Sequence, residues 1–187
     1  MAMPDLAKRW TRDEVLALPD DGNRYELIDG ELLVTPSPTG RHQRAVLKLY
    51  DQVAPYVLRH RIGQTSLAPA DLDLRSGQVS QPDLFVGALI AGREPIEWPE
   101  FGVPILIAEI LSPSTARSDR LTKRRRYQAS GALTYWIVDV DARLVETWHP
   151  DSAYPTITDQ TLEWQPDPGI PALVIELPAS FRAVWGE

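Results

Sequence analysis

Residues 105–111 read I-L-I-A-E-I-L, and few folds can hold such a run. Its length suits a strand better than a helix. A strand that is apolar on both faces belongs inside a sheet covered by helices. Alternation along the strand sets Glu109 on the face of Ile105, Ile107 and Leu111. A carboxylate in that company requires a metal, a basic side chain or backbone N–H groups as partner. The chain must therefore bury a sheet and also deliver a partner to Glu109.

The flanking sequence supplies the other layers. T-R-D-E from Thr11 is a capping box with Glu14 at the third helical position, opening a short helix that Pro19 stops near Leu18. Asp29-Gly30 between 25–28 and 31–35 predicts a hairpin. Helical spacing predicts a longer helix over 41–59, with His42 on its apolar face and Pro55 ending or kinking it. Strands are expected over 62–67, from 83 onward, over 105–111 and over 134–140. A short strand or loop edge at 72–74 precedes a turn at Arg75-Ser76-Gly77, and a helix spans 119–129. The tail adds strands at 144–148, near 161–164 and at 172–177. This order predicts an α/β fold bordering on α+β, its strands buried between helices.

Composition narrows the function classes. A chain of 187 residues suits one domain. It has no cysteine, which excludes disulfides and thiolate metal sites and fits a reducing compartment. No apolar stretch is long enough to span a membrane, and M-A-M-P-D-L-A-K-R-W lacks the apolar region of a signal peptide. The cytoplasm is the expected location. The net charge of −7 argues against a nonspecific nucleic-acid coat. That charge is uneven: residues 139–187 hold nine acidic and two basic residues, while 1–138 are balanced. Six basic residues fall within 117–126, leaving room for a local basic patch.

Gln81-Pro82-Asp83 opens the strand before 105–111. If the two strands pair, Asp83 and Glu109 converge on one ion. Mg²⁺, with Mn²⁺ as the alternative, favours such oxygen donors, and the main-chain carbonyl of Ile110 offers a third. The other reading makes these acids structural, or pairs them with arginine. Lys123 also has two readings. It pairs with Asp119 on an exposed helix, worth about 0.2–0.5 kcal/mol, or it points across the sheet edge toward Glu109. There it would stabilise developing phosphorane charge or orient water. On the latter reading Lys123→Ala lowers cleavage and leaves the fold intact. Tyr127 reads as a packing residue. Arg124, Arg125 and Arg126 contact phosphates or pair with the acidic tail. His42 is a core histidine, a helix-start group or a member of the cleft. Glu31 faces His42 or the metal, or simply decorates the hairpin. No phosphate-binding loop, dinucleotide fingerprint or nucleophile elbow is present.

R-Y-E-L-I-D-G-E-L, the loop with His42, Q-P-D-L-F-V, I-A-E-I-L-S-P-S-T, D-R-L-T-K-R-R-R-Y and Y-W-I-V-D together resemble the Uma2 family of restriction-endonuclease-like proteins. The resemblance covers about residues 11–181, leaving 1–10 and 182–187 as terminal extensions. It implies the PD-(D/E)xK nuclease superfamily: a mixed sheet flanked by helices, here with an N-terminal hairpin and a β-rich C-terminal extension. Pro82-Asp83 and Glu109 match the motif's acids. Leu111 stands where its lysine is expected, so the resemblance makes Lys123 a migrated lysine and sets Glu31 and His42 near the cleft. The implied activity is a Mg²⁺-dependent deoxyribonuclease acting on DNA, with a homodimer as one route to cutting both strands. Two alternatives stay open: a noncatalytic nucleic-acid-binding or assembly domain, and a hydrolase of a smaller phosphate substrate.

Overall fold

The computed structural model describes residues 8–74 and 78–187; the turn expected at 75–77 lies outside them. The chain begins with α1 (Arg12–Leu16), the hairpin β1 (Arg24–Ile28) and β2 (Glu31–Thr35), and the long α2 (Gly40–His60). Then β3 (Gly63–Leu67), β4 (Leu84–Ala88), β5 (Leu106–Ile110), β6 (Tyr135–Asp139), β7 (Leu144–Trp148) and β8 (Thr156–Thr158) form one sheet in that spatial order. Every neighbouring pair is antiparallel except β5 and β6. That parallel pair needs a crossover, here a π-helical segment, Ser118–Lys123, running into α3 (Arg124–Ser130). A small second sheet, β9 (Thr161–Trp164) with β10 (Leu173–Glu176), and α4 (Leu177–Trp185) close the chain.

Alternation gives the main sheet two buried faces. Leu84, Val86, Leu106, Ala108, Ile110, Trp136 and Val138 pack with residues of α2 and α4. Phe85, Ile107, Tyr135 and Ile137 pack with Phe101, Tyr127 and Trp148. β5 is buried along its whole length, as its apolar run requires. Asp83 and Glu109, two residues from Phe85 and Ile107, therefore point to the second face, under the crossover.

Local chemistry explains the ends. Both halves of the Thr11–Glu14 capping box form. Asp29 and Gly30 take φ of 52° and 85°, the left-handed pair that a two-residue hairpin turn demands. Two expectations need correction. Pro55 lies inside α2 instead of ending it. The carbonyl it deprives of a helical donor belongs to Asp51, an exposed residue. The helix expected over 119–129 starts with π geometry, Arg124 N–H donating to the Asp119 carbonyl five residues back. The tail carries the expected strands and also α4, whose buried Val184 sits in the core.

Candidate active site at the open end of β4 and β5

Asp83 immediately precedes β4. Its Oδ2 accepts from the Ile110 N–H at 2.9 Å, and its Oδ1 accepts from Arg24 Nη1 at 2.7 Å. His42 Nε2, in the first turn of α2, lies 3.0 Å from Oδ2. Thr39 caps that turn by accepting from the His42 N–H. Burial opposes ionisation of Asp83, but the hydrogen bond and charge of His42, the Arg24 guanidinium and the Ile110 N–H outweigh it. They hold the carboxyl at about 2, below the usual 3.8. A lowered folded value stabilises the fold above about pH 4, and that stability is lost as pH falls toward 2. The parent should lose roughly 2 kcal/mol over that interval that Asp83→Asn does not lose. Urea unfolding across a pH series measures it; parallel acid limbs would remove Asp83 as the source.

Glu109 anchors a second cluster. Its Oε1 accepts from Lys123 Nζ at 3.0 Å and from the Tyr127 hydroxyl at 2.9 Å. Lys123 also meets Glu26 Oε2 at 2.8 Å and Asp119 Oδ1 at 3.5 Å. Glu26 in turn accepts from the Gln81 N–H at 2.8 Å. The hairpin thus ties the lysine to the segment leading into Asp83. Lys123 is only 4% exposed. Burial alone would favour the neutral amine, yet Glu109, Glu26 and Asp119 hold its pKa well above 10.5. Burial likewise lifts Glu109 well above the usual carboxylate range; Lys123 pulls it down, while Asp83, Asp119 and Glu26 push it up. Asp119 is raised for the same reasons.

Both clusters face one cavity of about 390 Å³. Arg24, His42, Asp83, Glu109, Ile110, Asp119 and Lys123 line it, with the loops 35–39 and 111–115. Of the residues singled out in the sequence, Asp83, Glu109, Ile110, Lys123 and His42 come together here. Glu31 does not. It is exposed at the hairpin tip, opposite Ile28, while Glu26 is opposite Leu33. The two glutamates share a face, but Glu31 lies two rungs, about 7 Å, further from the site. The hairpin carboxylate that reaches the lysine is Glu26. Arg24, Glu26 and the Tyr127 hydroxyl were missed as site members. The signal for the first two was their alternation in R-Y-E, which sets both on one strand face. Leu111 packs partly buried against the second core face, so no ammonium can come from that position.

The basic patch is largely spoken for. Arg120 pairs with Asp139 at 3.0 Å and Glu146 at 2.6 Å. Arg124 lies over the Trp148 ring and Arg126 pairs with Asp29. Arg117 and Arg125 are exposed.

The crystal structure of a "putative nuclease belonging to DUF820" from Anabaena variabilis ATCC 29413 is similar, with a TM-score of 0.70. It is 20% identical, over 94% of this chain and 99% of that one, a likeness of fold. No curated protein matches. The Uma2 family, described as "Putative restriction endonuclease", matches residues 12–180, which span both strands, the crossover and the hairpin that build the cavity. This chain belongs to the Uma2 family.

Proposed function

We propose that this chain hydrolyses DNA phosphodiester bonds with a divalent cation, Mg²⁺ or in its place Mn²⁺. The observation that carries this reading is the arrival of Lys123 at Glu109, across 14 residues and from a different element, at the cavity that Asp83 also lines. It restores the acid–acid–lysine set that Leu111 interrupts in sequence.

The donors fit a hard cation: two carboxylates and the Ile110 carbonyl, all oxygen. The β4–β5 register pairs Leu84 with Ala108. Continued two residues, it sets Ile110 opposite Pro82, which has no N–H to offer that carbonyl. Among the described residues no cluster of three or more Asp, Glu, His or Cys side chains is arranged for an ion. Main-chain, water and substrate oxygens would have to complete the shell. A bound cation would polarise the phosphate and acidify an attacking water. Lys123 keeps its proton, so we assign it fixed positive charge beside the reacting phosphate, not the role of base. Arg24 Nε and His42 Nδ1 are buried without hydrogen-bond partners, and both residues line the cavity. We assign them to phosphate oxygens.

A second reading, a noncatalytic nucleic-acid-binding domain, draws on one observation. Both oxygens of Asp83 are already engaged by the chain's own groups. Incubation with defined single-stranded, duplex and branched DNA separates the two. Cleavage with Mg²⁺ or Mn²⁺ that stops on chelation is the expected result. DNA bound but left intact under every ion would favour the second reading. Hydrolysis of small phosphate esters alone would replace DNA as substrate.

A further inference from the structure

The spatial order of the main sheet leaves two edges, β3 and β8. Open edges invite pairing, and proteins usually guard them with short strands, charge or proline. β8 is three residues long. β3 is five, Gly63-Gln64-Thr65-Ser66-Leu67, with no charge and no proline.

We infer that the free edge of β3 pairs antiparallel with β3 of a second copy of this chain, with Thr65 on the two-fold axis. This is independent of the nuclease reading. The hydrogen-bonding parity comes from the strand's flanks. Ala68 N–H donates to Asp83, and the Ile62 carbonyl accepts from Leu89. Even-numbered positions therefore turn their polar groups toward β4. Alternation leaves the N–H and C=O groups of Gly63, Thr65 and Leu67 facing outward. No hydrogen bond from these groups to another element occurs among the described residues. These positions are symmetric about Thr65. An antiparallel copy sets Thr65 opposite Thr65 and Gly63 opposite Leu67 twice over, so each outward donor meets an outward acceptor.

Exposed side chains lie beside the same edge. Thr65 Oγ1 is buried and has no hydrogen-bond partner. That oxygen faces into its own chain, so it is the Thr65 backbone, not the hydroxyl, that meets its twin on the axis. On α2, Leu47, Tyr50, Ala54 and Leu58 follow helical spacing. Leu47 and Leu58 are 52% and 70% exposed. Tyr50, Ala54 and Leu58 line one groove with Gly63, Gln64 and Thr65. The apolar stripe and the open edge are thus two walls of one groove. A lone peptide strand would pair with the edge and leave most of the stripe in water. A second copy, related by a two-fold, covers both, with the two stripes running antiparallel beside a continuous twelve-stranded sheet, twice the six of one chain.

Sedimentation of the full chain tests this. At about 100 µM, well above a micromolar dissociation constant, the expected mass is twice 21.0 kDa. Thr65→Pro removes an outward N–H and no bond to β4, a substitution edges tolerate. Leu58→Asp changes an exposed helix position. Each should weaken the pair at least about tenfold, roughly 1.4 kcal/mol, while circular dichroism shows the fold retained. The chain has no cysteine, so introduced thiols report the register directly. Thr65→Cys should form a disulfide-linked pair on oxidation, its Cα atoms about 5.5 Å apart. Leu67→Cys, about 14–15 Å from its twin in this register, should not. A monomeric parent, a pair indifferent to both Thr65→Pro and Leu58→Asp, or equal cross-linking at 65 and 67 would each overturn the proposal.

Discussion

Replacing Lys123 with methionine is expected to cost the fold about 3–5 kcal/mol at neutral pH. Methionine keeps most of the length and apolar character of the stem, so the loss isolates the ammonium. Without it, Glu26, Glu109 and Asp119 are left buried around an uncharged side chain, at 2%, 2% and 1% exposure. Removing one partner of a buried ion pair leaves an uncompensated charge, the costly case. The deficit should shrink on acidification. Glu109 and Asp119 already have folded-state pKa values above their usual range. Loss of the cation raises them further, so the folded variant binds protons that the unfolded chain releases. Such groups favour folding at low pH, and the benefit is lost as pH rises through the folded value. Urea unfolding of parent and variant at about pH 5 and pH 7 measures both effects. A gap of equal size at the two pH values would sink the idea that Lys123 neutralises a buried acid cluster. The sequence reading pointed Lys123 at Glu109 and made Lys123→Ala harmless to the fold, as if the ammonium served substrate alone. The side chain is buried among Glu26, Glu109 and Asp119, so the fold depends on it as well.

Glu109→Gln should behave in the opposite way. The amide has nearly the shape of a protonated glutamate, and its oxygen can still accept from Tyr127. Lys123 keeps Glu26 and Asp119. Stability should stay within about 1 kcal/mol of the parent, since shape and burial are conserved. Metal-dependent DNA cleavage should fall at least about a hundredfold, because an amide is a poorer ligand for a hard cation and carries no charge to hold it. Mn²⁺ titration followed by spin resonance, beside cleavage rates, checks the assignment. Parent-level cleavage by a folded Glu109→Gln would remove Glu109 from the proposed chemistry. Lys123→Met and Glu109→Gln together separate two things that the cluster joins, holding the fold together and acting on substrate.

Where one interaction dominates locally, the sequence was readable. Asp29-Gly30 has a single comfortable turn, Thr11–Glu14 a single cap, and I-L-I-A-E-I-L a single place in a covered sheet. The convergence of Asp83 and Glu109 followed from alternation once the strands paired. What escaped depends on distance along an element or on tertiary context. Glu26 and Glu31 share a face, and only the position of the hairpin over the sheet decides which one reaches Lys123. Pro55 is a helix breaker by propensity, but α2 is held from both sides of it by buried Val53, Tyr56 and Val57. α4 opens with Leu177-Pro178, and proline in a first turn marks a helix start as readily as a stop. Most of the basic run was a solvated charge patch by composition; its partners, Glu146 and Trp148 on β7 and Asp29 in the hairpin turn, are distant in sequence.

The π-helical turn between Ser118 and Lys123 has a further consequence, for length variation in this segment. In an unbroken α-helix, positions eight apart diverge by about 80° around the axis. Asp119 and Tyr127 are eight apart, yet both are buried beside Glu109, because the wider turn spends less rotation per residue. A chain one residue shorter here would run as plain helix, with one of the three side chains turned out of the cluster. Insertions and deletions are usually absorbed by loops. In this crossover a single residue is the difference between three side chains converging on one carboxylate and two.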